Sequence, residues 1–161
     1  MPTAPKDPAQ LYLLVGFAVV QWAYVEMALD QCVVTIHTRG GGRTVCADRP
    51  TTALNRKLRF LRACFRRVPG LTEYASDGLA ILSRVEELAE RRNTTVHSAA
   101  FGEEGAGQSY MAIRWDLKAV TPNLRQADVS LAELEEVGKK ILELALNLAQ
   151  FSSRLALRFG R

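Results

Sequence analysis

Between Pro8 and Leu29 the chain carries one formally charged residue, Glu26, in a run otherwise made of apolar and small polar side chains. Leu11, Val15, Ala18, Trp22, Val25, Leu29, Val33 and Ile36 recur at threes and fours, the period of a helix. The spacing predicts a helix from Pro8 to about His37. Apolar residues spill well outside that stripe. Such a helix is buried on most sides, or is half covered by its own domain and half by a second subunit.

The rest of the chain supplies partners for it. The loop TRGGGRTVCADRP breaks the first helix with three glycines and a proline. A second helix is expected over Thr51–Val68, with Leu54, Leu58, Leu61, Phe65 and Val68 on one stripe. Arg56, Arg59, Arg66 and Arg67 fall opposite, with Arg62 on the flank. Pro69-Gly70 ends it. A third helix runs from Thr72, as N-cap, toward Ala99. After a glycine-containing stretch, SYMAIRWDLKAV alternates apolar and polar residues as a half-buried strand does, and Ala99–Glu103 can pair with it. Ser130 and Glu133 form a capping box that opens the last helix, whose stripe is Leu134, Val137, Ile141, Leu144, Leu148, Phe151 and Leu155. The expected fold is mainly α: a single domain over residues 1–161, an up-and-down bundle of four to five helices. A small β-hairpin is expected between the third and fourth long helices.

Composition narrows the class. With 48% apolar and 24% charged residues the chain is an ordinary globular one, long enough to bury a core without metal or disulfide help. Three cysteines (Cys32, Cys46, Cys64) without a CxxC pair argue against a disulfide framework and a zinc site. The N-terminus lacks the order of a signal peptide, and the apolar run Leu11–Val20 is ten residues, short of a bilayer. The expectation is a cytoplasmic protein without membrane partners, metal or cofactor. His37 reads as a helix-end residue, and the glycine run 40–42 is no P-loop because no GK[ST] follows. Cys64 and Ser98 have no triad partners apart from His97.

Charge is unevenly placed. From Arg49 to Thr72 there are seven basic residues and no acidic one, although solvated helix faces normally mix signs. Arg56, Arg59, Arg62 and Arg66 are therefore candidate phosphate contacts, against the plainer reading that an amphipathic helix needs a polar outer face. Aromatic interleaving is confined to Phe60.

The third helix holds the anomaly. Leu82, Val85, Ala89, Arg92 and Val96 share one stripe, so Arg92 is aimed at the core side while Arg91 points to solvent. A cation there is costly unless it is paired or opens onto a wet cleft. Asn93 and His97 lie on the flank of that stripe, as does Glu86. The isolated Glu26 would gain from pairing with Arg92; the alternative is that it is simply exposed. Arginines at helix margins also snorkel, and a histidine near a helix C-terminus meets the dipole favourably.

Arg92-Asn93-Thr94-Thr95-Val96-His97 resembles the R-N-x-x-x-H form of the motif that marks HEPN domains. The wider order is similar too: a long apolar first helix with W-x3-E (Trp22, Glu26), a basic second helix, and the motif ending the third. The resemblance covers nearly the whole chain in layout, with the six-residue motif as its specific part. It implies a helical bundle that homodimerises with two motifs facing across a cleft. It also implies metal-independent ribonuclease activity, often in toxins or phage defence. Some members are instead inactive partners or scaffolds. The rival expectation is accordingly a non-catalytic dimeric binding module that partners a nucleotidyltransferase, as an antitoxin, or another regulatory protein.

The residue types suit RNA cleavage. His97 can transfer protons near neutrality, and Arg92 offers a planar cationic fork to a phosphorane. Asn93 can orient the imidazole or bond a ribose or phosphate, with Glu26 as a supporting positioning residue. The 2′-OH would be the nucleophile, leaving a 2′,3′-cyclic phosphate and a 5′-OH.

Overall fold

The computed structural model describes residues 8–48, 53–96, 99–102, 109–116 and 123–160, with side chains over 9–48, 53–94 and 129–160. Four helices and three strands follow one another: α1 (Pro8–Thr38), α2 (Leu54–Arg67), α3 (Ala75–Val96), β1 (Ala99–Gly102), β2 (Ser109–Asp116), β3 (Asn123–Ser130) and α4 (Leu131–Phe159). The fold is a mainly α helical bundle, as the periodicities predict. The chain divides into two compact units. One comprises the chain up to Gln21 together with Leu88–Ile141, the other Trp22–Glu87 together with Leu142–Arg161.

In the second unit the expected stripes meet in a dry core. Val25, Leu29 and Ile36 of α1, Leu58 and Leu61 of α2, Val85 of α3, and Leu144, Leu148 and Leu155 of α4 are at most 1% exposed. Each such side chain contributes about 1.5–3 kcal/mol relative to leaving it in water. Phe65 and Tyr74 both meet the Phe151 ring edge-on, with centroids 5.8 Å and 6.3 Å away. Gly78 lets α3 come close to α2, because a Cβ there would fall 2.6 Å from the Phe65 ring. The turn after α1 needs a glycine at Gly41, whose φ of 82° is left-handed.

Two helix starts differ from expectation. Thr72 does not cap α3. It lies inside a 3₁₀ turn, Pro69–Tyr74, where its hydroxyl donates to Pro69 O at 2.8 Å, and the α-helix begins at Ala75. Pro69 stands at the first position of that turn, where its missing N–H and fixed φ are tolerated. At α2 the N-cap is Ala53, in extended conformation with no side-chain cap. Residues Thr51 and Thr52 lie outside the described ones.

In the first unit Leu11, Leu131 and Leu134 form a small buried cluster, with Leu14, Val15 and Val129 packed on it. The expected hairpin is a three-stranded antiparallel sheet in the order β1-β2-β3. Ala99 to Gly102 pair with Ile113 to Tyr110, and Ser109 to Asp116 pair with Ser130 to Asn123. The third strand, NLRQADVS, lacks the apolar alternation that marks β2; its backbone pairing rather than its pattern makes it a strand. It runs into α4 at Ser130, where the expected capping box is present: Ser130 Oγ accepts from Glu133 N at 3.1 Å. The Glu133 carboxylate accepts from Ser130 N and Oγ at 2.7 Å and 2.9 Å.

The helix α1 is half covered. Leu11, Ala18, Trp22, Val25, Leu29, Val33 and Ile36 are buried, whereas Tyr12, Leu13, Val20, Tyr24 and Met27 on the other face are 52–71% exposed. By length and composition alone this helix could cross a membrane, with 28% of its most apolar window buried, so its apolar character is not confined to Leu11–Val20.

Candidate functional site

Over its described side chains, the anomalous stripe of α3 folds as its spacing requires. Leu82, Val85 and Ala89 are buried, Arg92 and Asn93 are half-buried, and Arg91 is exposed. Arg92 Nη1 donates to the side-chain oxygen of Asn93 at 3.1 Å, and Arg92 Nε is shielded from solvent. Because the Asn93 oxygen accepts from Arg92, its NH₂ is the end left to donate outward. Thr94 turns its hydroxyl back onto Glu90 O at 3.1 Å. His97 lies outside the described residues.

Of the two alternatives for Glu26, the exposed one holds. It stands on the exposed side of α1, and its carboxylate accepts from Trp22 Nε1 at 2.9 Å. The helical spacing W-x3-E brings the two together: Trp22 buries its ring and leaves its one donor at the rim, where a carboxylate one turn on meets it.

On α2 the arginine face is real and has a definite shape. Asn55, Arg59, Arg62, Arg66 and Arg67 line an open groove of about 490 Å³, closed on its far side by Glu86 of α3. Arg59 and Arg66 are exposed and make no ion pair among the described residues. Arg62 is engaged: its Nη1 and Nη2 donate to the two Glu86 oxygens at 2.5 Å and 2.7 Å. That fork-on-fork hydrogen bonding raises the Arg62 pKa and holds the Glu86 carboxyl below the usual carboxylate range. Half of the Glu86 side chain is open to water, so an ion pair of this kind contributes at most about 1 kcal/mol.

Three assignments on α2 shift. Arg56 is exposed but does not line the groove, and Arg67 does. Phe60 is buried against the His37 ring, with centroids 6.0 Å apart, and offers no stacking surface to bases. Lys57 is 5% exposed and paired with Asp30 at 2.5 Å, which removes it from the basic face. His37 does close its helix end, buried and 3.1 Å from Ala47 O. The groove wall Glu86 was missed as a partner because it lies 24 residues from Arg62; a count of charges along α2 does not see it.

Among the described residues no group of three or more His, Cys, Asp or Glu side chains is placed to hold a metal ion. No family model, curated protein or solved structure matches the chain.

Proposed function

We propose that the chain is a homodimeric, metal-independent endoribonuclease of the HEPN type, with Arg92 and His97 as its catalytic pair. The observation that carries this reading is the half-buried Arg92 guanidinium. It is held by Asn93 on the stripe of Leu82, Val85 and Ala89, five residues before His97 in the sequence. A planar guanidinium fork in that position matches the oxygens of a phosphate.

In this reading the RNA 2′-OH attacks the adjacent phosphorus and displaces the 5′-oxygen of the next nucleotide. His97 moves protons between the attacking and leaving oxygens, and Arg92 holds charge on the phosphorane. Asn93, with its oxygen engaged by Arg92, contributes an N–H donor to a phosphate oxygen or to the imidazole. Glu26, exposed and fixed by Trp22, supports the helix rim rather than the reacting atoms. The exposed apolar face of α1 supports the dimer, which brings a second Arg–His pair to a sparse site. The cytoplasm, where RNA is at hand, is the matching location, and a role as a toxin or defence component follows from such an activity.

The same apolar face favours a second reading, a non-catalytic module that binds a nucleotidyltransferase antitoxin or another regulatory protein. Incubation of the purified protein with varied RNAs in EDTA separates the two. Cleavage by the wild type that is lost in both Arg92→Ala and His97→Ala, with unchanged oligomeric mass, supports the enzyme. Absent cleavage, or cleavage undiminished in the variants, refutes it.

A further inference from the structure

The arginine groove is built around a carboxylate that does what a phosphate would do. Glu86 presents two oxygens to both terminal nitrogens of Arg62, the geometry in which a guanidinium grips a phosphate. On either side along α2, Arg59 and Arg66 are exposed without an ion-pair partner among the described residues. From Arg59 to Arg66 the helix rises about 10 Å, room for roughly three phosphates of a stacked single strand. The lining, Asn55, Ala63, Glu86 and the arginines, holds no aromatic ring on which a base could stack.

We propose that this groove binds the phosphodiester backbone of single-stranded RNA without reading its bases, and that Glu86 is a built-in competitor that keeps Arg62 occupied until a phosphate displaces it. The proposal rests on the reading of α2 as an RNA-contacting face and adds to it a gate. RNA engages Arg59 and Arg66 first, because neither has to surrender a partner. Arg62 joins when a phosphate replaces the Glu86 oxygens, and the released carboxylate, already half in water, is solvated. The exposure of the pair makes exchange easy, so the gate sets how tightly RNA is held rather than blocking the groove.

The test measures anisotropy of a fluorescein-labelled 12-nucleotide oligouridylate against wild type, Glu86→Gln, Glu87→Gln and the double variant Arg59→Ala/Arg66→Ala, over a series of salt concentrations. Glu87→Gln makes the same charge change one residue along α3 and controls for net charge; thermal melts of all four verify folding. The expected result is about three- to five-fold tighter binding by Glu86→Gln than by Glu87→Gln. Its salt slope should match that of Glu87→Gln, because in both proteins Arg62 ends on a phosphate once RNA is bound. The double variant should bind at least about ten-fold more weakly than wild type. Equal affinities for the two glutamine variants, with the double variant still weakened, would overturn the gate and leave RNA binding by the groove intact. Binding unaffected by the double variant, or undetectable with every protein, would overturn both the gate and the RNA reading of α2.

Discussion

Trp22 is 2% exposed, yet its indole nitrogen donates at 2.9 Å to the carboxylate of the exposed Glu26 one turn further along α1. A ring with one polar atom can sit in a core only if that atom reaches the rim, and Glu26 is what it finds there. The carboxylate therefore acts through an acceptor oxygen, which glutamine also supplies. Glu26→Gln should change stability by less than about 0.5 kcal/mol in urea unfolding, and should leave RNA cleavage unchanged. Glu26→Leu, which removes the acceptor, should cost about 1 kcal/mol.

Neighbouring arginines on α3 should behave as different residues. Arg91 is exposed, whereas Arg92 is half-buried and bonded to Asn93. Lysine keeps the charge but loses the planar fork and the donor that holds Asn93. Arg92→Lys should therefore lower kcat/KM on an RNA substrate by about a hundred-fold or more, and Arg91→Lys by less than about two-fold. Equal losses at the two positions would place the chemistry elsewhere.

The thiols should be sharply unequal. Burial pushes the Cys32 thiol up to about 12 and Cys64 to about 11, so neither forms thiolate near neutral pH, while Cys46 is exposed. A disulfide reagent at pH 8 should titrate a single thiol in the folded protein and all three cysteines in guanidinium. Cys46→Ser should abolish the native-state reaction.

What the sequence made legible were the interactions written at helical spacing. The core stripes of α1, α2 and α4, the burial of Ala89 ahead of Arg92, and the Ser130–Glu133 box depend on residues three or four apart, and each is present. What it hid depended on distant segments. Glu86 reaches Arg62 only because α3 packs beside α2, and the exposure of Glu26 depends on which way α1 rolls against its neighbours. Phe60 sits among arginines in sequence but faces His37 across a helix pair. The third strand has almost no apolar alternation to announce it, and Thr72 lies inside a 3₁₀ turn that its N-cap residue type does not announce.

The capping box predicts a pH dependence whose sign is fixed. Hydrogen bonds from the Ser130 backbone and hydroxyl hold the Glu133 carboxyl below its ordinary pKa. A carboxylate depressed in the folded state lends its full stabilisation above the unfolded value of about 4.3 and loses it as pH falls through the lower, folded value. Ser130→Ala should cost about 1 kcal/mol at pH 7. The difference between Glu133→Gln and wild type should shrink as chemical denaturation is repeated from pH 6 toward pH 3. A difference constant across that range would show that the carboxylate's charge contributes nothing.

The exposed face of α1 makes the strongest demand on the molecule. Leu13 at 69% and Met27 at 63% are side chains that a stable, isolated chain has reason to cover, and they lie along one helix with Tyr12, Val20 and Tyr24. A second copy of α1 laid against the first would hide them, and self-association by one repeated patch is the commonest solution in soluble oligomers. Light scattering should then report twice the 17.8 kDa chain mass, and a glutamate on that face should reduce it to one. Met27→Glu is the sharper choice, since that side chain is already solvent-exposed in the isolated chain and the substitution leaves the core stripe of Val25 and Leu29 untouched. A monomeric Met27→Glu that keeps its thermal midpoint and loses RNA cleavage would tie activity to the dimer. A wild type that is monomeric, and that floats with anionic vesicles until Met27 is changed, would assign the same face to a membrane surface instead.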